Sequence, residues 1–560
     1  MLQFSTHCLR FWGCCVVGAF ISCAIPGYAG QKSRHERILA GEIYFNAGDE
    51  PPSLDPTKQA DSISSMWLGH IYEGLMSYDS VGNVIPGAAE SMTVNEDKTV
   101  WTFRLRLNAQ WQDGKPLRAQ DFVFAWRRLV DPDYASEYSF IAETAGIKNA
   151  GAIIAKKLPK DQLGVVALDD KTLQVTLSRP VTFFDSLATF QVFYPLRQDV
   201  VEKFGDKFSI DPESIIGNGP FKLAAWQKEQ SLRIERSPTY WDADKIQINA
   251  IESPSMVKDS QANFNNFQTG GIDYTTTSSP EIIKQALGAR LKIKSFPTGC
   301  TSYLAFNVRP GRTFANKTLR QAVRDGISRS EYVNKILGIP GYKPIFGVVP
   351  DYMPGSRKGL TFRREAPLKS RDADYPSSQD KLKLYLQKSG KTSAPSFTIL
   401  ANDGTLAKKL VEYWQNSLAK ILHTEVKVES VPFKTRLQKS RDGNFDLTLS
   451  GWCPDYRDPM TFMDLFTKAN DNNISGWVNQ TYEDLIVKAA NESDSAQRVA
   501  FFAEAEKILF EESPIVPIDQ TGGAFVVAPS LKQVRHNGFG FSPDFRYATW
   551  EADTKHLLEH

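Results

Sequence analysis

The sequence predicts a mixed α/β fold of several folding units. Three short stretches alternate apolar and polar residues, as strands with one buried face do: residues 101–107, 172–177 and 232–236. Helical periodicity lies between such stretches, as in the segment that begins at Ser495 and ends before Pro514. At roughly 100–200 residues per domain, 560 residues form two to four units. Because no internal repeat or low-complexity linker separates them, we expect lobes that several strands cross.

The helix after Ser495 and the segment that follows it show how the elements alternate. We expect Ser495 to be the N-cap, because a hydroxyl there accepts from a backbone N–H of the first turn. A strand-like segment over residues 515–518 comes next. A short final segment then runs from about residue 520 to residue 560.

Composition and charge narrow the function classes. The chain has 66 Lys and Arg against 64 Asp and Glu, a formal charge of +2 that gives no electrostatic reason to bind nucleic acid or an anionic membrane. Hydrophobic residues make up 41% and charged residues 23%, which excludes the disordered and fibrous classes. We therefore expect a soluble globular protein without a nucleic-acid partner.

The N-terminus has the three-part pattern of a secretory signal. Arg10 precedes an apolar stretch over residues 11–26, and small residues stand three and one positions before a cut after Ala29. This stretch is shorter than the ~20 residues that span a membrane. We interpret residues 1–29 as a cleavable signal peptide; a retained anchor and lipid attachment at Cys23 remain alternatives.

Cysteine usage fits export. Of six cysteines, Cys300 and Cys453 alone follow the predicted signal. In an exported protein this pair is most simply one disulfide bond, with two buried free thiols as the alternative.

Motifs for catalysis are missing from the sequence. The seven histidines show no metal-ligand spacing, the Gly-rich segment 217–220 lacks the Lys and Ser/Thr of a phosphate loop, and no Gly-x-Ser-x-Gly elbow occurs. Paired carboxylates for glycoside hydrolysis stay possible in principle, although nothing singles out a pair. We predict no enzyme, no metal site and no cofactor.

One segment is unusual in composition. Residues 451–459 contain two aromatic residues, a cysteine, two acids and two prolines directly after a strand-like stretch. A carboxylate held there, such as Asp455, would pair with a ligand ammonium beside an aromatic wall. The alternative is a surface turn with a packed Trp452.

Motifs along nearly the whole chain resemble those of one family. They are Ser53-Leu54-Asp55-Pro56, Tyr72-Glu73-Gly74-Leu75, Trp101-Thr102-Phe103, Asn108-Ala109-x-Trp111-x-Asp113-Gly114-x-Pro116, Asp121-Phe122-Val123, Arg128-Leu129-x-Asp131-Pro132, Asn218-Gly219-Pro220-Phe221, Tyr240-Trp241 and Gly451-Trp452-Cys453-x-Asp455-Tyr456. In this order they resemble the solute-binding proteins of ABC peptide importers, family 5, and specifically the oligopeptide-binding proteins of the Gram-negative periplasm.

The resemblance implies a class II periplasmic-binding-protein-like fold of the large three-lobe type. Two main lobes joined by a hinge are accompanied by an extra lobe. Lobe I would comprise residues 30–72, 198–298 and 521–560, lobe II residues 73–197, and lobe III residues 299–520. A peptide or peptide-like solute would bind between lobes I and III by β-strand addition as the hinge closes. The implied protein is a periplasmic monomer that delivers its ligand to ABC permease subunits.

The resemblance also assigns site residues by position. Asp455 matches the carboxylate that receives the peptide α-ammonium, and Cys300 and Cys453 match the family's disulfide pair. The other implied ligand-binding positions are Tyr138, Phe433, Leu449, Gly451, Trp452, Cys453 and Ser62, the last on a strand of lobe I that pairs with the peptide. Core packing is the alternative role for each aromatic residue.

The chain departs from the family at the far end of the ligand. Leu337, Ala407 and Leu449 stand where a lysine, a histidine and an arginine receive the peptide carboxylate. We therefore expect a ligand with an amidated, extended or non-peptidic far end, unless Lys434, Arg436 or Arg457 supplies the cation. Other solutes (a murein peptide, an opine or haem), a secreted hydrolase and a chaperone remain alternative functions.

Overall fold

The computed structural model describes residues 32–551 except residues 60, 81, 211, 278, 369–371, 469, 471 and 537. The predicted signal peptide over residues 1–29 lies outside the described residues.

The α-helices of the described chain range from 3 to 18 residues in length. The α-helices are α1 (Arg34–Ala40), α2 (Ser62–Ile71), α3 (Ala119–Leu129), α4 (Phe140–Thr144), α5 (Ala150–Ile154), α6 (Phe184–Leu187), α7 (Gln198–Phe204), α8 (Ser260–Gln268), α9 (Pro280–Gly288), α10 (Lys317–Gly326), α11 (Arg329–Glu331), α12 (Phe362–Glu365), α13 (Tyr375–Ser389), α14 (Thr405–Leu422), α15 (Phe433–Arg441), α16 (Met460–Met463), α17 (Gln480–Asn491) and α18 (Ser495–Glu512). A π-helical turn over Tyr332–Leu337 continues α11. Short 3-10 turns cover Pro56–Lys58, Lys160–Gln162, Gln191–Phe193, Gly205–Lys207, Pro212–Ser214, Ala243–Lys245, Thr313–Ala315 and Asp464–Phe466.

Strands lie between these helices along the whole chain. They are β1 (Glu42–Tyr44), β2 (Met76–Tyr78), β3 (Val84–Pro86), β4 (Ala89–Val94), β5 (Val100–Leu105), β6 (Val165–Ala167), β7 (Thr172–Thr176), β8 (Phe221–Gln227), β9 (Ser231–Arg236), β10 (Ala250–Ser253), β11 (Tyr274–Thr276), β12 (Lys294–Phe306), β13 (Lys343–Pro344), β14 (Phe397–Asn402), β15 (Val426–Val431), β16 (Leu447–Trp452), β17 (Ile515–Val527), β18 (Leu531–Lys532) and β19 (Thr549–Trp550).

Three larger sheets organise the molecule, and together they confirm the α/β, multi-lobed fold. The first sheet has the order β1-β10-β9-β8 and the second sheet the order β4-β5-β7-β6. The third sheet has the order β11-β17-β12-β16-β14-β15, with β13 also paired to β17. Only β1 with β10 and the pairs that β14 forms with β15 and β16 are parallel in these sheets.

The strands predicted from alternation all form. In β5, Trp101, Phe103 and Leu105 are buried while Thr102 and Arg104 lie on the more exposed face. The same period of two recurs in β7 and β9, because each has one face on a core and one toward solvent. Each strand begins or ends within two residues of its predicted bounds.

The predicted helix and strand near residue 500 need two corrections. The N-cap of α18 is Asp494, whose carboxylate accepts from the backbone N–H of Gln497; Ser495 is the first helical residue. The helix ends at Glu512, and Ser513 adopts a left-handed φ of 50° before Pro514. The strand that follows continues to Val527, far beyond residue 518, because β12 pairs with it over most of its length.

Strands β12 and β17 connect two parts of the molecule. Each is 13 residues long, and they pair in antiparallel fashion from Lys294 with Phe525 to Ala305 with Ile515. The register shifts between Pro297 and Thr301, where proline has no N–H to donate. At one end β17 pairs with β11, whose Tyr274 bridges to Phe45 directly after β1. At the other end β12 pairs with β16, so the two strands, both within the third sheet, extend from β16 to the β11 edge that bridges to the residue after β1.

Two buried acids, Asp55 and Glu73, link the parts of the chain that contain the first and the second sheet. Arg128 of α3 binds Asp55 with an N–O distance of 2.8 Å, and the hydroxyl of Tyr134 donates to the same carboxylate at 2.5 Å. The carboxylate of Glu73 likewise accepts from the hydroxyl of Tyr240 at 2.7 Å and from the indole of Trp241 at 2.6 Å. Since these acids are buried, the hydrogen bonds compensate for their lost hydration.

The disulfide bond between Cys300 and Cys453 is present, as the sequence predicts. It ties β12 to the residue that follows β16, across a sequence separation of 153 residues. Removing it by the double substitution Cys300→Ser/Cys453→Ser should therefore lower the free energy of unfolding by about 2–5 kcal/mol, since the loop-entropy model sets an upper value of about 5 kcal/mol.

Denaturant unfolding of ligand-free protein without reductant measures this loss. Dithiothreitol should shift the wild type to the midpoint of the double variant and leave the variant unchanged. Equal midpoints for oxidised wild type and variant would show that the bond contributes no stability.

Candidate ligand-binding site

A cavity of about 470 Å³ opens at the third sheet, beside α15 and the ends of β14 and β16. Four of the predicted site residues line it: Phe433, Leu449, Gly451 and Trp452. Phe433 is 59% exposed at the first position of α15, so it is not a core residue. The structure thus brings together residues that lie up to 19 positions apart in the sequence.

One edge of β16 is open beside this cavity. Strand β14 pairs with β16 only at Leu447 and Thr448. From Leu449 to Trp452, β16 pairs with β12 on one side, and no strand of the described chain pairs with its other side. Such an edge presents main-chain N–H and C=O groups to which an extended chain can add.

Gly451 is the exposed residue in the middle of this open edge. A Cβ atom at this position would come within 2.7 Å of the carbonyl oxygen of Thr301 on β12. Every other residue would therefore push the two strands apart. Glycine keeps the pairing of Ser302 with Gly451 and leaves the edge free of a side chain there.

Asp455 lies three residues beyond Trp452, in the loop that the disulfide bond anchors. The hydroxyl of Tyr138, from the part of the chain that contains the second sheet, lies near its carboxylate and acts to lower the pKa of Asp455. Tyr138 itself packs against Phe140 and Phe190, with ring centroids 5.4 and 5.5 Å away. Two predicted site residues that lie more than 300 positions apart in the sequence are therefore close together in the structure.

Burial raises the pKa of Asp455 from 3.8 to about 7, against the opposing effect of the Tyr138 hydrogen bond. Burial and the neighbouring carboxylate also raise the pKa of Tyr138, so its hydroxyl stays a donor at neutral pH. Asp455 forms no ion pair with another described residue. A cation placed beside it would favour the ionised carboxylate, as expected for an ammonium anchor.

Thr461 is a site residue that the sequence did not indicate. Its hydroxyl accepts from the backbone N–H of Asp455 at 3.3 Å and from the indole of Trp452 at 3.4 Å. It lies in the short helix α16 and is buried. A single threonine six positions after Asp455 has no motif around it, because its role depends on how the loop folds back.

Ser62 does not lie on a strand, contrary to the prediction. It is the first residue of α2, whose N-cap Asp61 accepts from the backbone N–H groups of Ile63 and Ser64. Helix α2 is buried along almost its whole length, which favours the helix over an exposed pairing edge. Ser62 is exposed and is not among the residues that line the cavity.

Two of the three residues that replace cations lie at the cavity. Leu449 and Ala407 line it, whereas Leu337 is 4% exposed and belongs to the hydrophobic core of the third sheet's lobe. Leu337 is the last residue of the π-helical turn over Tyr332–Leu337, in which Tyr332 and Val333 are also buried.

Of the two described cations expected to compensate, Arg436 and Arg457, it is Arg436 that lines the cavity. Arg457 instead contacts Asn83, with an N–O distance of 3.4 Å, and lies near the ring of Phe539. The side chain of Lys434 lies outside the described residues.

Nowhere in residues 32–551, leaving aside the gaps, do three or more His, Cys, Asp or Glu side chains gather so that they could hold a metal ion. None of the helices described is both long and apolar enough to span a membrane.

The raised pKa of Asp455 gives a prediction for the ligand-free protein. A carboxyl whose pKa is higher in the folded than in the unfolded state costs stability as pH rises from about 4 to 7. The variant Asp455→Asn should therefore gain stability on the order of 1–3 kcal/mol relative to wild type between pH 4 and pH 8.

Denaturant unfolding at each pH, on protein refolded after removal of ligand, measures this gain. The matched control is Asp161→Asn, which removes the same type of side chain from an exposed position. A pH-independent difference for Asp455→Asn would contradict the buried, uncompensated carboxyl.

Comparison of the sequence with known proteins shows the family to which the chain is similar. Residues 83–473 match the family described as bacterial extracellular solute-binding proteins, family 5. The periplasmic oligopeptide-binding protein OppA of Salmonella typhimurium is 33% identical over 487 residues, which cover 86% of this chain and 88% of that protein. The periplasmic murein peptide-binding protein MppA of Escherichia coli is 33% identical over 494 residues, 88% of this chain and 90% of that protein.

A solved structure agrees with the sequence comparisons. The crystal structure of Haemophilus influenzae OppA in complex with the peptide RPPGFSPFR matches with a TM-score of 0.75 and 30% identity, covering 91% of this chain and 99% of that chain.

Proposed function

The chain belongs to family 5 of the bacterial extracellular solute-binding proteins, and we propose that it captures peptides for an ABC importer in the periplasm. The observation that carries this proposal is the open edge of β16 over Leu449–Trp452, which leads directly to the carboxyl of Asp455. An extended peptide would pair its main chain with this edge and place its α-ammonium at Asp455. The relatives named above bind oligopeptides or a murein peptide, which supports a peptide over an opine or haem.

We also infer how the site closes. The proposed lobe boundaries between residues 298 and 299 and between residues 520 and 521 both fall inside the paired strands β12 and β17. The register shift between Pro297 and Thr301 lies at the same level, which fits a place where two paired strands bend. Lobe I (residues 30–72, 198–298 and 521–560) and lobe III (residues 299–520) would then close over the peptide, while lobe II (residues 73–197) supplies Tyr138.

The remaining roles follow from the family. We infer that residues 1–29 direct export and are removed, and that the mature protein acts as a monomer, since one chain supplies every residue of the proposed site. The partner is a pair of ABC permease subunits in the inner membrane. The chain belongs to a family of binding proteins, and we assign it no catalytic step.

Removing the charge of Asp455 tests this function. In Asp455→Asn the ligand ammonium loses its buried partner, so peptide affinity should fall roughly 100- to 5,000-fold, the equivalent of about 3–5 kcal/mol. Titration calorimetry with tri-, tetra- and pentaalanine and with their N-acetylated forms measures the effect. Acetylation should weaken binding to wild type and change little in the variant.

The matched control is Asp464→Asn, because burial also raises the pKa of Asp464 to about 7 and it lies in the same acidic neighbourhood. This control should bind peptides like wild type. Equal affinities of wild type and Asp455→Asn, or tight binding of N-acetylated peptides, would place the anchor elsewhere.

A further inference from the structure

The wall of the cavity is positively charged. Two arginines, Arg436 and Arg441, line it, and none of its described lining residues is Asp or Glu. Asp519 accepts a hydrogen bond from the lining residue Ser302 at 3.1 Å, yet it forms no ion pair with either arginine. Within the described chain, neither arginine has a carboxylate within 4 Å, in contrast to Arg498 with Asp458 at 2.6 Å.

The side chain of Arg436 is hydrogen-bonded but has no ion-pair partner among the described residues. It is 6% exposed, its Nε donates to the side-chain oxygen of Asn402 at 2.9 Å, and its Nη1 donates to the carbonyl oxygen of Leu449 at 3.3 Å. Its guanidinium lies 5.3 Å from the ring centroid of Phe433. Two neutral oxygens and an aromatic ring therefore orient the guanidinium group. Its positive charge has no counter-charge, and burying such a charge costs free energy.

Ser440 gives a second, independent observation. It lies four positions after Arg436 on α15, so the two side chains project from the same face of the helix. Its hydroxyl is buried, lines the same cavity and has no hydrogen-bond partner. Buried hydroxyls are usually satisfied, so an orphaned one beside an unpaired guanidinium points to a missing acceptor.

We propose that Arg436 and Ser440 form an anion subsite that receives a carboxylate of the bound ligand, with Arg441 at its more exposed side. The proposal rests on the proposed function, because it names the chemistry at the far end of that peptide. A guanidinium and a hydroxyl together suit a planar carboxylate. The subsite lies on α15, and not at Leu449 or Ala407, where the family resemblance places such cations.

This assignment reverses the expectation of an amidated or non-peptidic far end. The sequence left Arg436 as an alternative, and the structure places its guanidinium at the cavity wall with Ser440 beside it. The carboxylate comes either from the peptide C-terminus or from an Asp or Glu side chain. Both sources share the chemistry of the subsite.

The test uses randomised tri-, tetra- and pentapeptide libraries, made once as free acids and once as C-terminal amides. Each is offered to the full-length mature protein after removal of endogenous ligand, and bound species are identified by native mass spectrometry in competition. Wild type should retain free acids roughly 10- to 100-fold better than the matching amides. Amides that bind only when they contain Asp or Glu would also support the subsite and assign the carboxylate to a side chain.

Variants then assign the effect to Arg436. In Arg436→Gln the ratio of retained free acids to retained amides should fall to about one, and Arg436→Lys should restore part of this ratio. Lys439→Gln is the matched control, because it removes a charge from the same helix but pairs with Glu429 and not with the cavity. It should keep the wild-type preference.

The outcomes separate this inference from the proposed function. Wild type that binds acids and neutral amides equally overturns the anion subsite and leaves peptide binding intact. Wild type that binds no library member overturns the proposed function, and the subsite with it. If Arg436→Gln fails to fold, as judged by circular dichroism, the wild-type comparison and Arg436→Lys decide.

Discussion

The pairing of β12 with β17 is the constraint on which the rest of the structure depends. Strand β12 pairs with β17 on one side and with β16 on the other. The open edge belongs to β16, and the loop that contains Asp455 follows directly after it. The disulfide bond from Cys300 to Cys453 fixes that loop to the same strand. Strand β17 also pairs with β11, whose Tyr274 bridges to Phe45 directly after β1, so the sheet that carries this edge is connected to the first sheet.

The charges of the site are left uncompensated in the ligand-free protein. Asp455 is held by a tyrosine hydroxyl and not by a cation, while Arg436 is held by neutral oxygens and not by a carboxylate. Elsewhere in the described chain, buried pairs such as Arg546 with Asp544 and Arg37 with Asp273 are complete. A ligand with a positive and a negative end would give Asp455 a cation and Arg436 an anion. Binding would then offset the free-energy cost of the two unpaired charges in the ligand-free protein.

Sequence reasoning succeeds where the signal is local. The alternation of Trp101, Phe103 and Leu105 gives β5 because each strand needs only its own buried face. The unusual composition of residues 451–459 identifies the loop with Asp455, since an acid, an aromatic residue and a cysteine seldom cluster without a shared role. The two cysteines that lie outside the predicted signal peptide give the disulfide bond.

Sequence reasoning fails where contacts with distant residues determine the local structure. Ser62 lies in a helix because Asp61 caps it and the core covers it, and neither fact is visible in a matching of family positions. Leu337 is buried in a hydrophobic core with residues that lie far from it in the sequence, such as Trp414 and Ile518. The open edge of β16 depends on where β14 stops pairing, and the partnership of Arg436 with Ser440 depends on which face of α15 meets the cavity.

The most direct test of the central claim is native mass spectrometry, with fragmentation, of protein purified from the periplasm with its cellular ligand. The account predicts a released mass that sequences as a peptide with a free amino group and at least one free carboxylate. A haem, a lipid or another solute without peptide bonds at stoichiometric occupancy would contradict it.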